Sequence, residues 1–294
     1  MVSTFSKEGR LKMDESLIFK SIRRILPGTM KSRLIQLYHC ILLTQACDEW
    51  SIAVLDRLNI KPRKYSNKDI LLKLRNGDKI FFKLDNLDAQ RIAEIFGENI
   101  YTPAYLSTYW SDPKVVLDIG ANTGVFTLYA ARLFPEATIH AYEPNPDLFP
   151  LLKKNILLNG LQERCALSNC AVWHESDTLH FTLGNAKNPG TGQIVRDGKE
   201  EQNVKSVPAI GFMNILEMHQ KVDFIKMDIE GSEYEVILQS HPNYLRKVKF
   251  FALEYHKRAD GNVHDLIRHL EAAHFSTALR TRGSILYAWQ KPEE

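Results

Sequence analysis

Apolar positions along this chain change their spacing several times, and each change marks an element. Residues 14–60 keep a helical spacing, in which Leu17, Ile18, Ile22, Ile25 and Leu26 share a face before Pro27-Gly28 stops the run. A second helix is predicted from about Lys31 to Gln45, with Leu34, Leu37, Tyr38, Ile41 and Leu42 on one side. A third is predicted from Glu49 to Leu58, ahead of Lys61-Pro62. The spacing then shortens. Ile70–Arg75 and Lys79–Leu84 flank Asn76-Gly77-Asp78, and Asn-Gly takes up the positive φ of a tight turn, so this stretch reads as a hairpin. A short helix follows from Asp88 to Phe96.

From Val115 onward, apolar runs alternate with amphipathic stretches. Strands are predicted at 115–119, 137–142, 166–172, 222–227 and 248–254, and helices at 125–134, 146–159, 231–239 and 263–273. That alternation builds a doubly wound, mostly parallel α/β sheet. The end differs, because Phe275–Leu279 and Ser284–Gln290 are separated only by Arg280-Thr281-Arg282-Gly283, which is short enough for an antiparallel hairpin. Residues 1–64 are expected to form a helical extension and 65–294 an α/β domain. Gly184–Asn203 is the longest loop of low apolar content, and it is expected to help the extension cover a site.

Candidate chemistry sits at the strand ends. Val115-Val116-Leu117-Asp118-Ile119 runs into Gly120-Ala121-Asn122-Thr123-Gly124, the strand–turn–helix arrangement that lets backbone approach a nucleotide-like ligand. The turn lacks the third glycine of a pyrophosphate fingerprint, and Asp118 would repel a phosphate. An acidic strand end suits a ligand carrying an ammonium group. Glu143, followed by Pro144, comes 19 positions after Gly124, close to the spacing of a carboxylate that accepts bonds from ribose hydroxyls. Val222–Met227 runs into Asp228-Ile229-Glu230-Gly231 and repeats the pattern. Two carboxylates there could orient a substrate hydroxyl, take its proton or hold a divalent ion. Glu254 and His256 share a face if the last parallel strand stays extended, and His256 is a candidate general base. Glu233 and Glu235 are expected to decorate the next helix near its positive end.

Bulk properties narrow the partners. A net charge of +3 with pI near 8.5 gives no basis for a nucleic-acid partner. The basic cluster Lys20, Arg23, Arg24, Lys31 and Arg33 reads as the solvated face of a helical cap. Cys40, Cys47, Cys165 and Cys170 have no metal-type spacing. No run approaches the ~18 apolar residues of a membrane span, and the first fifteen residues lack a secretion signal, so the expected location is cytoplasmic.

In order and spacing, these segments resemble the FkbM-type family of S-adenosylmethionine-dependent methyltransferases. The matching stretches are Val116–Gly124, Ala141–Pro146, Leu151–Asn159, Asn169–Val172, Asp223–Glu233 and Leu253–His256. The resemblance covers roughly residues 70–290 and implies a class I methyltransferase fold finished by the antiparallel hairpin, with methyl transfer usually to a hydroxyl oxygen. It implies S-adenosylmethionine held by Asp118, Gly120 and Gly124 around the methionine, Glu143 at the ribose, and Asn169, Cys170 and Ala171 toward adenine, with Asn122, Thr123 and Pro144 also binding the cofactor and Asp228 near donor and acceptor. Asp228, Glu230 and His256 are the expected proton-handling residues, in that order, and no residue is assigned to a metal. The acceptor class is a small molecule, a sugar or a glycolipid. Two other readings stay open: a partner-binding module that keeps the fold without catalysis, and a nucleotide-dependent oxidoreductase, which Asn122 and the missing glycine disfavour.

Overall fold

The computed structural model describes residues 28–60, 69–82, 88–183, 192–195, 204–280 and 283–290. The helix expected around Leu17–Leu26, the hairpin's last residues and most of 184–203 lie outside the described residues. The chain divides into two compact units, Met1–Tyr38 and His39–Glu294, and the second carries every strand described below.

Twelve strands run in chain order. They are β1 (Ile70–Lys73), β2 (Lys79–Phe82), β3 (Val115–Ile119), β4 (Thr138–Tyr142), β5 (Cys165–Ser168), β6 (Ala171–Trp173), β7 (Asp177–Thr182), β8 (Val204–Gly211), β9 (Val222–Met227), β10 (Val248–Glu254), β11 (Phe275–Arg280) and β12 (Ile285–Gln290). The main sheet has the order β11-β12-β10-β9-β3-β4-β5, with β10, β9, β3, β4 and β5 parallel and β12 antiparallel to both its neighbours. This is the expected doubly wound, mostly parallel sheet with its closing antiparallel hairpin. The strand order reverses at β3, so the crevice beyond the carboxyl ends of β3, β4 and β9 is where such a sheet takes ligands.

The parallel strands are apolar because both faces are covered. Every residue of β9 is buried, as are four of the five in β3. On one face Phe224 stacks with Phe126 at 6.0 Å and with Phe250 at 5.1 Å between ring centroids. On the other, Phe251 meets Phe275 edge-on at 5.4 Å. Each such ring buried contributes about 1.5–3 kcal/mol.

The expected 166–172 strand is in fact two. β5 ends at Ser168 in the main sheet, and β6 begins at Ala171 in a separate sheet of order β6-β8-β7. Asn169 makes the break by donating its side-chain amide to the carbonyl oxygens of Glu143 and Pro144, at 2.7 and 3.3 Å. β7 and β8 occupy residues on either side of the expected long loop.

The hairpin β1-β2 packs onto the helix Phe149–Leu158 through two asparagines. Buried Asn155 accepts from the Phe81 N–H at 2.7 Å and donates to the Phe81 carbonyl at 3.0 Å and the Thr123 carbonyl at 2.8 Å. One turn on, Asn159 accepts from the Lys79 N–H at 2.9 Å and donates to its carbonyl at 2.7 Å. No described helix is long and apolar enough to cross a membrane.

Candidate active site

The turn after β3 is shaped by its backbone. Gly120 sits at φ +79°, and a Cβ there would lie 1.8 Å from the Asp228 carbonyl oxygen. Only glycine lets the β3 and β9 turns approach this closely. The Gly120 and Ala121 N–H groups both donate to the Tyr142 carbonyl, at 3.0 and 2.9 Å, so the turn is fixed to the end of β4. Asn122 and Glu230 hold positive φ, 53° and 52°, and both face the crevice. Such conformations in residues other than glycine store strain of roughly 1–3 kcal/mol and cluster at functional sites.

Two lobes of one cleft share a wall of Arg91, Gly120, Asn122, Asp228 and Glu230. The first extends past Glu143 and Pro144 to Cys170 and Ala171, and is closed by apolar Tyr142, Leu148, Val172, Phe181 and Ile194. Its wall includes Gly120, Asn122, Glu143, Pro144, Cys170, Ala171 and Asp228, which are seven of the residues expected around the cofactor. Glu143 accepts from the Asn122 N–H at 2.7 Å and the Asn145 N–H at 2.8 Å. Burial pushes its carboxyl up to about 7, against the pull of those two N–H groups and of the Lys226 and Arg91 charges.

Asp118, Thr123 and Gly124 stand elsewhere. Asp118 is fully buried, accepts from the Thr127 hydroxyl at 2.6 Å and pairs with Lys226 Nζ at 3.2 Å. Its charge is therefore spent inside the protein and does not face a ligand ammonium. The Thr123 hydroxyl donates to Asp88 at 2.6 Å, and Gly124 is covered by Leu152, which a Cβ would meet at 2.7 Å. These three build the turn from behind.

The second lobe is acidic. Glu94, Asp228, Glu230 and Glu254 line it together with Tyr101, Lys226 and His256. Glu254, at the end of β10, accepts from the Tyr101 hydroxyl at 2.8 Å. Burial, then the Asp228 charge, pushes Glu254 to about 8, and the same two causes push Glu230 to about 7. His256 lies 3.8 Å from Asp228, 3.4 Å from Glu230 and 3.3 Å from Glu233. Burial disfavours its charge, but the hydrogen bond to Glu233 and the charges of Asp228, Glu233 and Glu230 outweigh this and raise it to about 10. At neutral pH His256 is an imidazolium. The base role expected of it does not fit, and it acts as the counter-charge for the carboxylates around it.

Glu233 is the second correction. It is fully buried rather than decorating a helix surface, and it accepts from the Gly231 N–H at 2.9 Å and the His256 N–H at 2.6 Å. It clamps the β9 turn to the end of β10. Asp228, Glu254 and His256 offer ligand atoms within 4.8 Å of one another, a spacing that fits a metal ion, for which the His256 proton would have to leave.

Sequence reasoning missed Lys226, Arg91 and Tyr101. Lys226 carried a signal: it is the lone cation in an apolar strand, directly in register with Asp118 on the neighbouring strand.

A family model described as the methyltransferase FkbM domain matches residues 118–277. Methyltransferase sdnD of Sordaria araneosa is 29% identical over 187 residues, covering 53% of this chain and 71% of that protein. Hexuronic acid methyltransferase AglP of Haloferax volcanii is 28% identical over 192 residues, covering 64% of this chain and 74% of that one. The 31-O-demethyl-FK506 methyltransferase FkbM of Streptomyces tacrolimicus is 41% identical over 69 residues, covering 24% of this chain and 26% of that one.

Proposed function

The chain belongs to the FkbM methyltransferase family, and on that premise we propose that it uses S-adenosylmethionine to methylate a hydroxyl oxygen, with a sugar or glycolipid as the acceptor class. The observation that carries this reading is the two-lobed cleft, in which Glu143 on one side and the Asp228–Glu230 pair on the other flank the Gly120 turn. The lobes fit the donor in chemistry. Apolar Leu148, Val172 and Ile194 suit a nucleobase, Glu143 suits ribose hydroxyls, and the acidic junction suits a sulfonium and an ammonium. When bound, the donor supplies a methyl group on a positively charged sulfur and leaves as a neutral thioether.

The protein's own contribution is alignment and proton removal. Asp228 lies on the shared wall, where it reaches both the donor lobe and the acidic lobe, and it takes the proton of the acceptor hydroxyl. His256 Nε2 lies 3.8 Å from Asp228 Oδ1 and helps fix where that carboxylate stands on the wall. Glu230 and Glu254, raised toward neutrality, accept hydrogen bonds from further hydroxyls of a polyol. This run of acceptors and a relative named for a hexuronic acid support a sugar-type acceptor, and a relative named for a 31-O-demethyl substrate supports transfer to oxygen. The base is worth typically 10²–10⁴ in rate.

Calorimetry of the intact protein with S-adenosylhomocysteine tests the donor, and absence of binding overturns the reading. Labelled S-adenosylmethionine offered with a panel of sugars and uronic acids tests the acceptor. Activity measured with and without a chelator tests whether a cation held by Asp228, Glu254 and His256 takes part.

A further inference from the structure

A methyl donor of this kind is an amino acid at one end. Besides the ammonium, which the acidic junction receives, it carries a carboxylate that must be held in a lobe already lined by Glu94, Asp228, Glu230 and Glu254. A cation is the group that would offset those like charges.

Three cations line the second lobe, and two of them, Lys226 and His256, line that lobe alone. Lys226 is buried at 3.2 Å from Asp118, with its Nζ donating to the Gly120 carbonyl at 2.6 Å. His256 is held among Asp228, Glu230 and Glu233. Arg91 differs in position: among the described residues it is the one cation on the walls of both lobes, at the junction the methionine arm must cross. Its field reaches both sides, lowering Glu143 in the first lobe and Glu230 in the second.

Arg91 is also held firmly. It lies in the short helix Asp88–Ile92, which continues as a π-helical turn over Ala93–Gly97, a geometry frequent at functional sites. Arg91 Nη1 is 3.6 Å from Asp88, a fully buried residue that receives the Thr123 hydroxyl at 2.6 Å. The helix is thereby locked to the glycine turn. A guanidinium has five N–H donors in a fixed fork, enough to keep Asp88 and bind a carboxylate as well.

We propose that Arg91 is the anchor for the carboxylate of the donor's methionine arm, supplied by a segment ahead of the family-matched residues 118–277. The inference rests on the S-adenosylmethionine reading above. A charge-assisted pair of this kind sets an affinity difference on the order of 10- to 100-fold.

The test compares two nucleosides by calorimetry: S-adenosylhomocysteine, which has the amino-acid arm, and 5′-methylthioadenosine, which lacks it. Wild type should bind the first more tightly. Arg91→Gln should weaken S-adenosylhomocysteine about 10- to 100-fold and methylthioadenosine far less, through Glu143 alone, and Arg91→Lys should recover part of the loss. An unchanged S-adenosylhomocysteine affinity in Arg91→Gln overturns the assignment. Equal weakening of both ligands also overturns it, because Arg91 then serves only to hold the helix in place. Wild type binding neither nucleoside overturns the donor reading itself, and the anchor with it.

Discussion

Lys226 Nζ and Asp118 Oδ1 lie 3.2 Å apart in register-matched positions of β9 and β3, both shut away from solvent. The pair lies directly behind the Gly120 turn, and the same ammonium also donates to the Gly120 carbonyl. Removing one partner of such a pair leaves a buried charge without compensation and costs about 3–5 kcal/mol. Lys226→Met is therefore expected to lower the unfolding free energy obtained from a urea titration by that much. The double variant Asp118→Asn, Lys226→Met should recover most of the loss, because the Thr127 hydrogen bond to residue 118 survives.

Gly120→Ala meets an obstacle of another kind. The new Cβ would fall 1.8 Å from the Asp228 carbonyl oxygen, at a φ of +79°. The two turns must part, so the wall shared by both lobes opens. Binding of S-adenosylhomocysteine should fall below detection by calorimetry while circular dichroism shows the sheet retained.

Donor affinity should depend on pH through Glu143. Its carboxyl sits at about 7, above the ordinary 4.5, because burial favours the neutral form. Ribose hydroxyls donate, so they bind the ionised form. Affinity for S-adenosylhomocysteine is expected to rise from pH 6 to pH 8 and then level off. Glu143→Gln should reduce that slope and weaken binding at pH 8 more than at pH 6, as titration at the two pH values would show.

Asp228→Asn removes the proposed base while keeping the shape of the wall. A 10²–10⁴-fold fall in kcat is expected, with a smaller change in donor affinity. His256→Asn acts differently. Loss of the imidazolium removes a charge that holds Glu230 and Glu254 down, so both rise further. The ascending limb of the pH–rate profile should move to higher pH, and initial rates from pH 6 to 10 would reveal it.

The main sheet was legible because both-face burial leaves uninterrupted apolar runs, as in Val222–Met227, and because the 120–124 and 228–231 turns keep their motif spacing. The split at Asn169 was not. Cys165–Trp173 reads as nearly continuous extended chain, and the amide bonds that end β5 reach residues 25 and 26 positions away. The charge logic also needed three dimensions. Asp118 at a strand end looks available to a ligand until Lys226 is placed beside it, and His256 looks like a base until three carboxylates surround it. Arg91 lies outside every motif, and only the packing of its helix onto Thr123 brings it to the cleft.

The two asparagines that fasten β2 to the helix Phe149–Leu158 bear on any attempt to recombine this protein with its relatives. Asn155 joins Phe81 to Thr123, so the glycine turn shares one amide with a hairpin lying well ahead of residue 118. A chimera cut at the start of the family-matched region would strip that amide of two bonds and expose the side of the helix it faces. A graft junction ahead of Ile70 carries the donor turn, the hairpin and the Arg91 helix across as one inherited block.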